Sequence, residues 1–352
     1  MRASSSVYSL DHAIAGLACA HGGPPVRGHL RSLAEDFQVT ELPLVEPTGE
    51  GEHVWLLIRK RGLNTVAVAG RLAQLADVSL RNVSFAGMKD RHALTEQWFS
   101  VHLPGSKEPD WPALDSEDLS CVRHVRHTRK LRRGALRGNA FRIRVRDIDG
   151  DTDLLMTRLQ QVARAGVPGY FGEQRFGRGG SNLDTADRLF AGTGRRLSRQ
   201  QRGLALSAAR AFLFNRVLAH RVAAGSWNQL LPGEAVQLSG SHSFFIAEVI
   251  DADLQQRLQT HDINPTGPMH GKGESPVVAD CRQLEADCLA PFTDWQQGLE
   301  AAGLKQERRA LRVVPANMTW SWPEQHTLQL EFTLPAGCYA TSVLRELIRS
   351  VP

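Results

Sequence analysis

In SFAGMKDRHALTEQWFSV (84–101) a carboxylate, Asp90, stands between Lys89 and Arg91 at a glycine turn, with Phe85 ahead of it and Trp98 and Phe99 behind. A carboxylate can attack an electrophilic carbon or remove a proton, and either role requires the anion. An anion enclosed by rings needs a cation beside it. Lys89 is one candidate, although neighbours along a strand or turn often point apart, and an arginine from the basic segment described next is another. Taken alone, the same pattern also fits a solvated hairpin tip, where charged pairs at glycine turns are common.

Residues 123–146, RHVRHTRKLRRGALRGNAFRIRVR, hold ten Lys or Arg and no acid, which leaves 32 basic against 37 acidic residues in the rest of the chain. A single-sign block of that density repels itself unless a polyanion neutralises it, so it reads as a nucleic-acid contact. Its end, FRIRVR, alternates Phe141, Ile143 and Val145 with Arg142, Arg144 and Arg146. A strand of that period sends the first three into a core and lines up the arginines on the opposite face. Asn139 enters this strand from a turn marked by Gly134 and Gly138. Its amide offers a donor and an acceptor to the edge of a base, and it is equally at home as an ordinary turn residue.

The composition excludes several classes. With 352 residues, 42% hydrophobic and 22% charged, the chain reads as a soluble protein of about two domains. Five cysteines (19, 121, 281, 288 and 338) form no C-x-x-C pair, which suits a reducing cytosol better than a disulfide framework or a zinc ribbon; a cytoplasmic location is expected. The apolar patch at 14–20 lacks the basic flank of a signal peptide, and no apolar run approaches the ~18 residues of a membrane span. GRGG at 177–180 has neither the G-K-[ST] ending of a phosphate loop nor the G-x-G-x-x-G of a dinucleotide site. His124 and His127 lie inside the basic block without further ligands, so no metal is expected there.

The elements that must position these groups follow from periodicity. DFQVTEL, HVWLLIRK, QWFSVHL and FRIRVR read as strands, and a helix runs over 65–75 behind Asn64, with Val68, Leu72 and Leu75 at helical spacing. A second helix covers 153–165, capped by Asp151 or Thr152 and stopped at Gly166. The character changes there, to the glycine-aromatic segment GVPGYFGEQRFGRGGSN and then to a long helix over 200–224, so a domain boundary is placed near Gly166. INPTGPMHGKGESP (263–276) reads as an exposed loop, a further helix covers 293–302, and the last residues return to a strand, LQLEFTL, the turn PAGCY and a helix, ATSVLRELIRS.

With these segments in place, GMKDRHALTEQ (87–97) resembles the signature of the tRNA pseudouridine synthase D (TruD) family. EDFQVTE (35–41), KLRRGALRGNAF (130–141), GYFGEQRFGRGGSN (169–182) and LPAGCYATSVLREL (334–347) resemble further stretches of that family, in the expected order and across almost the whole chain. The resemblance implies a mixed α/β (α+β) pseudouridine synthase catalytic domain with a mainly antiparallel sheet, covering 1–164 and 314–352, interrupted by a TruD-specific α/β insertion domain over 165–313. It also implies isomerisation of uridine to pseudouridine at position 13 of certain tRNAs, with Asp90 as the catalytic carboxylate and uridine contacts by Phe37, Asn139 and Tyr339. Tyr339 departs from the phenylalanine expected at its position: a phenol keeps the ring and adds a hydroxyl that needs a partner when buried.

The implied reaction breaks the bond from N1 to C1′, turns the uracil and joins C5 to the sugar with no net redox change, so no cofactor or metal is required. One aspartate suits two routes, attack at C6 or C1′ and proton removal from C2′, and the sequence does not choose between them. A base stacked within folded tRNA must be turned out, and Phe37, Tyr339 and Phe141 are the rings that could replace its lost stacking. Lys89 and Phe141 are therefore supporting candidates. tRNA is the expected partner, with no membrane and no small-molecule cofactor, and the chain is expected to be a monomer. The alternative is a non-catalytic RNA-binding protein or RNA chaperone using the same basic strand; a tRNA methyltransferase is a third reading.

Overall fold

The computed structural model describes residues 17–105, 107–193 and 196–351. Part of the apolar patch at 14–20 therefore lies outside the described residues. In chain order the first elements are β1 (Val26–Leu30), β2 (Phe37–Pro43), β3 (His53–Arg61), α1 (Thr65–Leu75), β4 (Val83–Phe85), β5 (Leu94–His102), β6 (Leu119–His127) and β7 (Leu136–Gly150). There follow α2 (Thr152–Ala165), β8 (Val167–Pro168), α3 (Glu173–Phe176), α4 (Ser181–Phe190), α5 (Arg199–Ala223), β9 (Glu234–Leu238), β10 (Phe244–Ala247), α6 (Ala252–Gln259), β11 (Ile263–Met269), α7 (Ala279–Leu289), α8 (Thr293–Ala301), β12 (Glu307–Ala310) and β13 (Arg312–Val313). The chain ends with β14 (Ala316–Glu324), β15 (Thr327–Pro335), α9 (Ala340–Leu347) and β16 (Ile348–Val351).

These elements form two compact units. One comprises Pro25–Leu155, Pro315–Cys338 and the C-terminal strand β16; the other comprises 17–24, Met156–Val314 and Tyr339–Leu347. The first unit is built on a ten-stranded sheet among the described residues, in the order β14-β15-β7-β2-β5-β3-β6, with β1 joining β7 and β16, and β4 joining β5. Every pairing is antiparallel except β2 with β5 and β1 with β16. The fold is thus mixed, with a mainly antiparallel sheet. Asn64 caps α1 by accepting the Ala67 N–H at 2.8 Å, and Val68 and Leu72 are fully buried against Val54, Leu56, Ile58 and Phe99. Asp151 caps α2 by accepting the Leu154 N–H, and Gly166 ends it at a φ of 77°, a left-handed conformation that suits glycine.

The other unit centres on α5, capped by Ser198 in a reciprocal pair with Gln201. Its Phe212, Phe214 and Leu218 pack with Phe176, Tyr170 and Trp295. A four-stranded sheet, β10-β9-β11-β12, accompanies it. Here the sequence misleads. The first half of the segment expected to be an exposed loop is β11, largely buried. Pro265 and Pro268 signal a loop, but this strand changes partners between them: Ile263–Pro265 pair with β9 and Thr266–Met269 with β12. Each proline needs only one of its edges to be bonded. Gly267 is required by packing, since a Cβ there would lie 2.8 Å from Leu311 and 3.1 Å from Phe214.

Candidate active site

The segment from Ala86 to Ala93, between β4 and β5, has no regular structure, and side chains hold it in place. Thr65, the first residue of α1, donates its hydroxyl to Gln97 Oε1 at 3.0 Å and accepts the Lys89 N–H at 3.0 Å. The Gln97 amide in turn donates to the Gly87 carbonyl. Lys60, fully buried at the end of β3, donates to the carbonyls of Leu63 at 2.8 Å and of Asp90 at 2.9 Å. Arg91 Nε donates to the Gly62 carbonyl at 3.0 Å. The turn carrying Asp90 is thus clamped to β5 before the carboxylate and to the end of β3 and the start of α1 around it. Burial depresses the Lys60 ammonium to about 8; the negative charge of Asp90 opposes that shift and Lys89 adds to it.

The Asp90 carboxylate remains partly exposed and pairs with a cation that the sequence motifs do not point to. Arg31 Nη2 donates to Asp90 Oδ2 at 2.7 Å, with 31% and 29% of the two side chains exposed. Arg31 directly follows β1 with a φ of 62°, and its guanidinium lies 4.3 Å from the centroid of the Phe37 ring. Between the two, Asp36 is buried and accepts three hydrogen bonds from Arg146, at 2.7 to 3.1 Å, and one from the Leu33 N–H. Burial alone would push the Asp36 carboxyl up; the Arg146 and Leu33 hydrogen bonds outweigh it and hold the group below its ordinary range. The loop presenting Arg31 is therefore tied to β7.

Lys89 faces elsewhere. Its ammonium donates to Asn139 Oδ1 at 2.8 Å and lies 2.7 Å from Glu41 Oε2. Glu41 sits directly opposite Asn139 in the register of β2 with β7, and its other oxygen accepts the Trp98 N–H at 3.3 Å. Burial raises the Glu41 carboxyl, and the Lys89 charge opposes the rise. Of the two cation sources considered for Asp90, neither Lys89 nor the basic block supplies it: Lys89 is occupied by the buried Glu41, and Arg31 lies outside residues 123–146. Phe37 and Phe141 meet edge to face at 6.3 Å, and Phe141 stacks on Phe332 at 5.4 Å. Both Phe37 and Phe141 are more than nine-tenths buried, so both rings are packed in this structure, Phe141 between Phe37 and Phe332.

The basic block divides in two. Along β7 the alternation holds, with Phe141, Ile143 and Val145 buried, yet the arginines opposite them are paired: Arg142 with Glu331, Arg144 with the Gln329 amide, Arg146 with Asp36. Arg126 is likewise tied to Glu108. Arg132, Arg133 and Arg137 are exposed and form no ion pair among the described residues, although Arg133 lies 5.1 Å from the centroid of the Phe85 ring. Arg132 and Arg133 lie in the turn before β7 and Arg137 is the second residue of the strand, so these three unpaired charges gather around its start. His127 is buried against the Trp55 ring at 4.4 Å, while His124 is exposed.

Tyr339 belongs to the other unit, just before α9, and is half-buried. Its hydroxyl accepts a hydrogen bond from Arg175 Nη2 at 2.8 Å. Arg175 also donates to the Ser207 hydroxyl at 2.8 Å and lies 5.1 Å from the Phe171 ring centroid. That is the partner the extra hydroxyl requires.

The mainly antiparallel mixed sheet thus carries a partly exposed aspartate paired with Arg31, whose guanidinium also covers Phe37. The family model described as tRNA pseudouridine synthase D (TruD) matches residues 18–184 and 181–347, and the chain belongs to that family of isomerases. A tRNA pseudouridine synthase D of Nitrosococcus oceani is 53% identical over 94% of both chains, and one of Methylococcus capsulatus is 49% identical over 95% of this chain and 94% of its own. A crystal structure from Methanosarcina mazei described as TruD shares the fold, with a TM-score of 0.69 at 20% identity, covering 94% of this chain and 95% of that one. No helix among the described residues is long and apolar enough to cross a membrane.

Proposed function

We propose that the protein converts uridine to pseudouridine in tRNA, at position 13 of certain tRNAs, with Asp90 as the group that acts on the turned-out nucleotide. The observation that carries this reading is the Arg31 to Asp90 pair: a carboxylate left partly open, fixed through its backbone by Lys60, with the same guanidinium covering Phe37. In the reaction the bond from N1 to C1′ breaks, a bond from C5 to C1′ forms, the proton leaves C5 and N1 gains one; no oxidant, cofactor or metal takes part. Asp90 serves either as a nucleophile at C6 or C1′ or as the base that takes a proton from C2′. Arg31 balances the charge as Asp90 is consumed and released, Phe37 gives an apolar wall, and Asn139 meets the edge of the uracil. The family resemblance adds Tyr339 as a further uridine contact. Arg132, Arg133 and Arg137 grip the phosphates, a positioning role separate from the reading of the base.

On this reading 1–164 with 314–352 is the catalytic domain, 165–313 is the insertion domain, and the protein acts in the cytoplasm. The test is to incubate the purified protein with unmodified tRNA transcripts, label pseudouridine with a carbodiimide and map reverse-transcription stops. The expected result is a single stop reporting position 13 in a subset of tRNAs. Bound tRNA without any stop would support an RNA chaperone instead, and a gain in mass would support a methyltransferase.

A further inference from the structure

An asparagine amide is by itself an ambiguous reader of pyrimidines. Uracil presents a donor at N3 and an acceptor at O4, while cytosine presents an acceptor at N3 and a donor at N4. Turning the amide through half a circle exchanges its oxygen and nitrogen, and with them the base it matches. In this chain the turn is blocked. A lysine ammonium donates hydrogen bonds and accepts none, so the atom of Asn139 that Lys89 touches at 2.8 Å must be the oxygen.

We propose that Lys89, held by Glu41, is a positioning residue that fixes the Asn139 amide in the orientation that accepts uracil and rejects cytosine. The inference rests on the proposed function, in which Asn139 faces the target base. Asn139 Oδ1 keeps one lone pair for N3–H while the other receives Lys89, and Nδ2, which donates to no protein group among the described residues, is left for O4. Cytosine at the same place sets donor against donor and acceptor against acceptor, a mismatch that leaves polar groups unpaired on both sides.

Three features keep the lysine from following the amide if it turns. The Lys89 side chain is 7% exposed and that of Glu41 1%, so the pair has no room to re-form elsewhere. The Lys89 backbone is tied to Thr65 and its neighbour Asp90 to Lys60. Glu41 is fixed across the strand pair from Asn139 and by the Trp98 N–H. The two charged side chains thus do for one amide what a second hydrogen-bonding side chain does in many base-reading sites.

The test uses the full-length protein carrying Asp90→Asn, so that binding is measured without turnover, and tRNA transcripts with either uridine or cytidine at the target position. The Asp90→Asn protein is expected to bind the uridine transcript about tenfold more tightly. Adding Lys89→Met together with Glu41→Gln, which removes both charges and leaves neither one buried alone, should bring the two affinities within about twofold while the melting curve and overall tRNA binding persist. A preference for uridine that survives these substitutions overturns the inference, and so does an Asp90→Asn protein with no preference. Loss of pseudouridine formation on Asp90→Asn tests the catalytic reading and is scored separately from this binding ratio.

Discussion

The Arg31 guanidinium serves Asp90 and Phe37 at once: Nη2 lies 2.7 Å from the carboxylate while the central carbon lies 4.3 Å from the ring centroid. A flat, delocalised cation can do both, and a compact ammonium cannot. Arg31→Ala should lower kcat/KM about 100-fold, the scale of removing a charge-assisted hydrogen bond and a cation-π interaction together, roughly 3 kcal/mol. Arg31→Lys should recover part of that activity. Steady-state kinetics on a tRNA transcript measures both, and equal activity of the alanine variant and the wild type would remove Arg31 from the site.

Lys60 is the buried clamp on the Asp90 backbone. Replacing it with methionine takes the donor from two carbonyls, at about 1–3 kcal/mol each, and should lower the midpoint of urea unfolding. The pH dependence has a defined sign. The native state gives up this proton near 8, against 10.5 ordinarily, so between those values the unfolded chain holds more protons and the stability from this group rises with pH. Below about 8 both states are charged and the group adds no pH dependence. The stability gap between wild type and Lys60→Met should therefore widen from pH 8 to pH 10; a constant gap would mean that Lys60 does not titrate there.

Both Lys60 and Glu41 are legible in the sequence through strand phase. Val54, Leu56, Ile58 and Lys60 share one phase of β3, and Phe37, Val39 and Glu41 share one phase of β2. A charge at the core phase of a strand signals a buried, partnered group, and in both cases the partners line the Asp90 turn. The helices at 65–75 and 152–165 are legible because caps and stops are local chemistry. Arg31 is not, because its φ of 62° turns the side chain toward Asp90, 59 residues further along the chain. The first half of the loop expected at 263–276 is instead β11, because two prolines hide a strand that changes partners between them.

The hydroxyl of Tyr339 has one visible function, to accept from Arg175. Tyr339→Phe should cost about 0.5–1.5 kcal/mol of stability through that bond and leave kcat within about twofold, since the ring remains. Thermal unfolding and single-turnover kinetics separate the two effects. A large drop in kcat would instead give the hydroxyl a part in the chemistry.

Arg132, Arg133 and Arg137, around the start of β7, are exposed and form no ion pair among the described residues, so they are open to phosphate. Substituting Arg132, Arg133 and Arg137 together by alanine should raise the apparent KM for tRNA more than it lowers kcat. It should also flatten the salt dependence of binding by about one unit of slope for each phosphate that the protein no longer neutralises. The control is Arg142→Ala, which removes an arginine already paired with Glu331 and should change the slope little. An unchanged KM at physiological salt in the triple variant would place the RNA elsewhere.

The most direct measurement is pseudouridine formation by Asp90→Asn on a tRNA that the wild type modifies, with binding of that tRNA measured in parallel. The amide keeps the shape and removes the anion, so tRNA binding should persist within a few-fold while carbodiimide mapping shows no product even after prolonged incubation. Product at the wild-type rate from that variant would contradict the assignment of the chemistry to the Asp90 carboxylate.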